Sequence, residues 1–217
     1  MDPTIRQMVE FLNPWLEEPS LFQETINRQL PKEFIHRQVL DELSEMAMNS
    51  KKAHLVIGPR QAGKSTIIWA LARQAKHLLY LNCEEPLVRQ WCTSPARFVH
   101  EAADFLPLGG VLFLEEAQWL DEAGLFVKGV VDAKPGWVIL VTGSASFHLL
   151  SRTRESLAGR TTRHNVWPLS LLEITGQTDS VTPVVRTIKR RSAFERMLVW
   201  GSYPEVVTSH CSGSVET

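Results

Sequence analysis

The chain has 217 residues, 23 Lys and Arg against 24 Asp and Glu, a formal net charge of -1, and 44% hydrophobic and 22% charged residues. That is enough chain for one substantial core; near-neutrality removes any overall electrostatic case for a nucleic-acid partner, whose only weak support is the basic cluster Arg186, Lys189, Arg190 and Arg191, most simply a solvated helix face. Three cysteines without C-x-x-C spacing (Cys83, Cys92, Cys211) argue against a disulfide framework or structural zinc, and no apolar run nears the roughly 20 residues that cross a bilayer, so a cytoplasmic protein without a membrane partner is expected.

In chain order, Ile5, Met8, Val9 and Leu12 have helical spacing, as do Ile35, Val39, Leu43 and Met46 after Pro31 at a first helical position. Residues 1–50 therefore read as a helical lead-in, in which His36 and Arg37 pack on a helix face. The apolar run Ala53 to Ile57 is a buried strand, followed by Gly58, Pro59, Arg60, Gln61, Ala62, Gly63, Lys64, Ser65 and Thr66, a complete G-x-x-x-x-G-K-[ST] loop. Its two glycines let the backbone curl so that N–H groups face phosphates, and the helix that follows adds the positive end of its dipole. Lys64 then reaches the β- and γ-phosphates and Ser65 offers its hydroxyl to Mg²⁺. Without that strand and helix the same residues would be a glycine-rich surface turn; Ile67, Ile68, Leu71 and Ala72 supply the helical period.

Further on, the pattern predicts a helix over 64–75, a strand over 78–82, helix over 86–105, a strand over 111–114, a helix over 118–132, a strand over 137–142, a helix over 147–158 and a strand over 164–167. Alternation of this kind predicts an α/β fold with right-handed crossovers and a parallel sheet covered on both faces. Val111 to Leu114 ends in Glu115 and Glu116. Adjacent residues of an extended segment point to opposite sides, so Glu115 is assigned to the magnesium shell and Glu116 to polarising the attacking water as general base; the competing reading is an acidic helix start. Polar residues appear in the 137–144 run only at its carboxyl end, where ligands sit in such sheets. Thr142 and Ser144 are thus candidates for reading the γ-phosphate, or plain helix caps. Gln118 and Trp119 lie close enough to sense or report on the site. Beyond Pro168, Leu171, Leu172, Phe194, Leu198, Val199 and Trp200 indicate a small helical carboxyl-terminal part.

Together with Tyr80-Leu81-Asn82, Leu112-Phe113-Leu114, Thr142-Gly143-Ser144, Leu157-Ala158-Gly159-Arg160, Pro168-Leu169-Ser170 with Glu173, and Gly201-Ser202-Tyr203-Pro204-Glu205, the loop resembles bacterial and archaeal ATP-binding proteins of the AAA superfamily, related to the STAND ATPases. The resemblance implies a P-loop NTPase with a five-stranded parallel core, ATP and Mg²⁺ as ligands, and Arg160 as an arginine finger or sensor, supplied in trans by a homo-oligomer. Two departures stand out. The family has Asp-Glu where this chain has Glu115-Glu116, which predicts slow hydrolysis, because magnesium tolerates little displacement of its ligands. The family also continues into a further domain, whereas Thr208 to Thr217 read as a polar tail without pattern, so the chain is expected to be a truncation or fragment. The organisation expected is a lead-in over 1–50, a P-loop core over 51–176, a helical lid or the start of a truncated carboxyl-terminal domain over 184–207, and a polar tail over 208–217, with a linker at Thr178 to Pro183. Three functions fit: an ATP-hydrolysing switch, a non-hydrolysing regulatory module for a protein or DNA partner, and a small-molecule kinase, against which the paired carboxylates argue. The absence of an Asn-Lys-x-Asp motif favours adenine over guanine.

Overall fold

Alternation along each apolar run decides the architecture. The computed structural model describes residues 1–47, 50–144, 157–176 and 182–211. Five strands, β1 (Ala53–Gly58), β2 (Leu78–Asn82), β3 (Val111–Glu115), β4 (Val138–Ser144) and β5 (Thr161–Asn165), form one all-parallel sheet in the order β2-β3-β4-β1-β5. Leu55, Ile57, Leu79, Leu81, Leu112, Leu114, Ile139 and Val141 project to one face, while Val56, Leu78, Val111, Phe113 and Leu140 project to the other. Both faces are therefore apolar and both need helices. The first is covered by α1 (Pro3–Leu12), α5 (Pro86–Trp91), α6 (Pro95–Ala102) and α7 (Ala123–Asp132), the second by α2 (Leu21–Gln29), α3 (Gln38–Ala47) and α4 (Lys64–Ala72). Beyond the sheet lie α8 (Leu171–Thr175), α9 (Pro183–Trp200) and α10 (Pro204–Cys211).

The expected fold class is the one observed, and the boundaries differ where local chemistry intervenes. Helix 86–105 is two helices because Pro95 holds Ser94 extended, at φ -122° and ψ 109°. The second lead-in helix starts at Gln38, not Pro31; residues 31–37 instead run along a cleft described below. The last strand lies at Thr161–Asn165, ahead of the predicted 164–167, because an edge strand exposes polar positions that the apolar pair Val166-Trp167 outweighed as a signal. Helix 118–132 begins only at Ala123, after a 3₁₀ turn at Ala117–Trp119. Thr208 to Cys211, read as patternless tail, belong to α10. The predicted helix over 147–158 and the linker at 178–183 fall almost entirely outside the described residues.

Strand β2 is an edge, yet its outer side is closed. The Asn13 side chain is fully buried, donates from Nδ2 to the carbonyls of Val9 (2.8 Å) and Tyr80 (2.9 Å), and accepts the Tyr80 N–H at 2.7 Å. Trp15 donates its indole N–H to the Leu78 carbonyl at 2.9 Å. The lead-in thus stands where a sixth strand would pair. Asn13→Ala leaves the Tyr80 amide and carbonyl without these partners and is expected to cost about 2 kcal/mol, read as a lower denaturant midpoint at unchanged slope.

A second buried polar pair bridges β1 and β5: His54 Nδ1 lies 3.0 Å from His164 Nε2. Burial, then His164 and Lys52, push His54 down to about 4, while burial also lowers His164 against the opposing charge of Glu42. Between the unfolded value near 6.5 and the folded value, the unfolded chain binds more protons, so stability falls as the pH drops through that window. Denaturant midpoints measured from pH 7.5 to 4.5 are expected to decline, with a shallower decline in a His54→Gln, His164→Gln double variant.

Candidate functional site

All five strands run the same way, so their carboxyl ends share one edge, and the register sets Gly58 beside Ser144 and Leu114 beside Val141. The loop after β1 and the glutamates at and just past the end of β3 therefore flank the end of β4. The loop turns sharply: Gln61 and Gly63 have φ of 63° and 90°. At Gly58 the constraint is space, because a Cβ there would stand 1.9 Å from the Val166 carbonyl oxygen. Lys64 opens α4, is 4% exposed and donates from Nζ to the Pro59 carbonyl at 3.0 Å. Burial pushes its ammonium pKa down, aided by Arg60, while Glu116 and Glu115 act against that shift. A desolvated cation held next to carboxylates gains when an anion arrives.

A cleft of about 990 Å³ opens over this edge. Arg60, Gln61, Gly63, Lys64, Ser65 and Thr66 form its floor, Glu116 one side, and Leu30, Pro31, Phe34 and Ile35 an apolar wall. Pro204, Glu205 and Thr208 of α10 close it opposite. Pro204 and Glu205 were visible in the sequence only as part of a matching motif, without a role, and Thr208 only as the start of a polar tail.

The two carboxylates have different settings. Glu116 sits in the left-handed region, φ 51° and ψ 44°, which turns its side chain out of the strand's alternation and into the cleft wall. Its N–H donates to the Thr142 hydroxyl at 2.9 Å, and its Oε2 accepts from the Gln118 amide, whose own oxygen accepts the Ser144 N–H at 3.2 Å. Thr142 is thus a buried brace for the Glu116 backbone and does not line the cleft, and Ser144 is tied through its backbone to Gln118. Gln118, weighed as a sensor, is the bridge between Glu116 and the end of β4. Glu115 lies off the cleft wall, with its Oε2 accepting the Tyr80 O–H at 2.5 Å. Burial and Glu115 together push the Tyr80 hydroxyl pKa upward, so Tyr80 stays a donor. Nothing in the local pattern of Tyr80 signals this contact, which only the β2–β3 pairing creates.

Ser65 and Glu116 line the cleft while Glu115 stands off its wall, and a hydroxyl with one or two carboxylates beside phosphate oxygens is the kind of oxygen chemistry that magnesium takes. Among the described residues no three His, Cys, Asp or Glu side chains gather into a metal cluster, and a phosphate-borne magnesium requires none.

Other candidates lie elsewhere. The Arg160 carbonyl accepts the N–H of Ala53, at the start of β1, about 17 Å along the strand from the loop. Its guanidinium pairs with Asp132 at 2.6 Å, both partly exposed, away from the loop of its own chain. His36 is exposed and 2.8 Å from Asp41, outside the cleft lining. Trp119 is 48% exposed beneath the Arg89 guanidinium. The cluster Arg186 to Arg191 lies on α9, with Arg191 paired to Glu195 at 2.9 Å.

Comparison with known proteins agrees with this geometry. The AAA domain family matches residues 50–175. An uncharacterized protein of Mycobacterium tuberculosis is 27% identical over 209 residues, covering 92% of this chain and 42% of that protein; one of Methanocaldococcus jannaschii is 23% identical over 201 residues, covering 88% and 44%. The chain thus spans less than half the length of these relatives. Among solved structures, the fold is similar to a Walker-type ATPase of Pyrococcus abyssi (15% identity, TM-score 0.52, 82% of this chain and 67% of that one). It is also similar to C. elegans PCH-2 (15%, 0.55, 90% and 67%) and to a STAND protein with a tetratricopeptide repeat sensor from Pyrococcus horikoshii (13%, 0.54, 87% and 31%). The fold and loop define an AAA-type P-loop ATPase fold. The chain belongs to the AAA domain family.

Because the Gly58 constraint is backbone against backbone, Gly58→Ala is expected to destabilise the chain by about 2 kcal/mol or more. A thermal midpoint equal to the parent's would show that the β1 turn and Val166 separate easily.

Proposed function

We propose that the chain binds Mg-ATP in this cleft and hydrolyses it, and that the ATP-bound and ADP-bound forms differ in how the carboxyl-terminal helices sit on the loop. The observation that carries this reading is the convergence of Lys64, Ser65 and Glu116 on one cleft whose floor is the phosphate loop. Loop amides and the α4 amino terminus bind phosphate oxygens. Lys64 exchanges its Pro59 carbonyl for the β- and γ-phosphates. Leu30, Pro31, Phe34 and Ile35 offer the base an apolar wall, and adenine fits it without a guanine-reading motif.

Ser65, with Glu115 beyond it, would hold magnesium, which would supply charge compensation on the phosphates. Glu116 holds a water in line with the γ-phosphorus and takes its proton; the P–O bond to the β-phosphate breaks, giving ADP and phosphate. Glu116 suits the task because Thr142 and Gln118 fix its backbone and one oxygen, leaving the other for water. The Glu115–Tyr80 contact adds to the longer side chain as a reason for slow turnover.

Arg160 enters only from a second copy. At the far end of the sheet from its own loop, and tied by a solvent-screened ion pair, it is free to exchange Asp132 for a neighbour's γ-phosphate in a head-to-tail assembly. A protein partner, reached through α8 to α10, would read the nucleotide state; nothing favours nucleic acid beyond the α9 cluster, of which Lys189, Arg190 and Arg191 are exposed.

Lys64→Ala is expected to abolish nucleotide binding. Glu116→Gln is expected to retain it and slow turnover by about 10² to 10⁴. Specific activity is expected to rise with protein concentration and to lose that rise in Arg160→Ala. Parent-rate hydrolysis by Glu116→Gln would remove the general base, and concentration-independent turnover would remove the second copy.

A further inference from the structure

Arg37 is 6% exposed, and all three of its outer nitrogens are engaged by different parts of the chain. Its Nη1 donates to the Ala62 carbonyl inside the phosphate loop at 3.0 Å, its Nη2 to the Trp167 carbonyl at 2.6 Å, and its Nε to Glu173 Oε1 at 2.8 Å. Glu173 is the third residue of α8, where its other oxygen accepts the Ser170 N–H and the Ser170 hydroxyl accepts the Glu173 N–H in a capping box. Burial pushes the Glu173 carboxyl up, but the Ser170 amide and the Arg37 guanidinium outweigh it and hold it below the usual carboxylate range. One planar cation thus joins the loop before Gly63, the exit of β5 and the first turn of the carboxyl-terminal helices.

We propose that Arg37 is a positioning residue: it fixes the Ala62 peptide so that the loop amides face phosphate, and through Glu173 it ties that loop geometry to the placement of α8 and the helices after it. This rests on the nucleotide reading given above. The carbonyl of Ala62 must turn aside from an incoming anion for the neighbouring N–H groups to point toward it, and the Arg37 guanidinium, which itself stands at the cleft lining beside Gly63, holds it there. A movement of the loop on nucleotide exchange then strains the Nε–Glu173 bond or carries Glu173 with it, and Glu173 cannot shift without opening the α8 cap. Lysine cannot substitute, because one ammonium cannot reach three acceptors held in a planar fork.

The test is Mg-ATP and Mg-ADP binding together with amide hydrogen exchange on the full chain, for the parent, Arg37→Lys and Glu173→Gln, with Trp137→Phe as a destabilised control. Trp137 donates its indole N–H to the Leu106 carbonyl near the amino ends of the strands, away from the cleft. Arg37→Lys is expected to weaken both nucleotides by about tenfold, the scale of charge-assisted hydrogen bonds lost at a buried site, while Trp137→Phe binds as the parent does. In the parent, nucleotide is expected to slow exchange in residues 58–68 and also in 171–176; in Glu173→Gln the second protection is lost and the first kept. Without nucleotide, Glu173→Gln is expected to speed exchange in 58–68, although it touches the loop only through Arg37. Parent-like affinity in Arg37→Lys, an equal loss in Trp137→Phe, or persistent protection of 171–176 in Glu173→Gln overturns the proposal. If the parent binds neither nucleotide, the functional reading fails by itself, and nucleotide-free exchange still decides the tie: unchanged exchange in 58–68 sinks it, faster exchange sustains it.

Discussion

The site depends on one close approach, where β1 ends against the exit of β5. Val166 donates its N–H to the Ile57 carbonyl at 2.7 Å, and its own carbonyl occupies the space a side chain at Gly58 would need. With these backbones in contact, the chain leaves β1 at one height and angle, and the loop begins from a fixed platform. β1 is flanked by β4 and β5, so that platform cannot tilt without breaking a ladder on either side. Pre-organisation of this kind lets backbone amides act on a polyanion without first reordering.

On the other side of β4 the same edge carries a polar network that sets two adjacent glutamates to different tasks. In regular extension Glu115 and Glu116 would point apart by pleat alone. Instead β3 stops at Glu115, and Glu116 takes up a left-handed conformation that a non-glycine residue adopts at some cost. The Thr142 hydroxyl on its amide and the Gln118 amide on its carboxylate offset that cost. The strain is local, faces the cleft, and is braced from the neighbouring strand, as expected where a side chain must be aimed.

The parts of this arrangement legible in the sequence are those specified by consecutive residues. The loop could be read because phosphate binding demands glycines, a lysine and a hydroxyl at fixed spacing, and β1, β3 and β4 because strands buried on both faces are apolar throughout. β5 was placed late because an edge strand of the form Thr-Thr-Arg-His-Asn carries no such signal. Contacts across long separations were not legible at all. Asn13 meets Tyr80 from 67 positions away, and Arg37 meets Glu173 from 136, so Arg37 read as a helix-face residue when it is a buried junction. Thr142 and Gln118 lay where ligands were expected, but hydrogen-bond partners, not spacing, decide whether a polar group faces the cleft or braces what does.

The carboxyl-terminal helices contrast with the sheet in what they bury. Ala193 is the one buried residue of α9, while Val184, Ile188, Leu198, Val199 and Trp200 are at least 60% exposed. Since stabilisation scales with apolar area removed from water, α9 draws little from its own packing. The segments on either side of it carry polar ties near the cleft: the Leu169 N–H donates to the carbonyl of Ser202, just after α9, at 2.7 Å, and Glu173 of α8 pairs with Arg37. A segment that buries little apolar area beside the cleft is placed where small changes in that cleft weigh most against its total stability. A helix packed as deeply as α4 would ignore them.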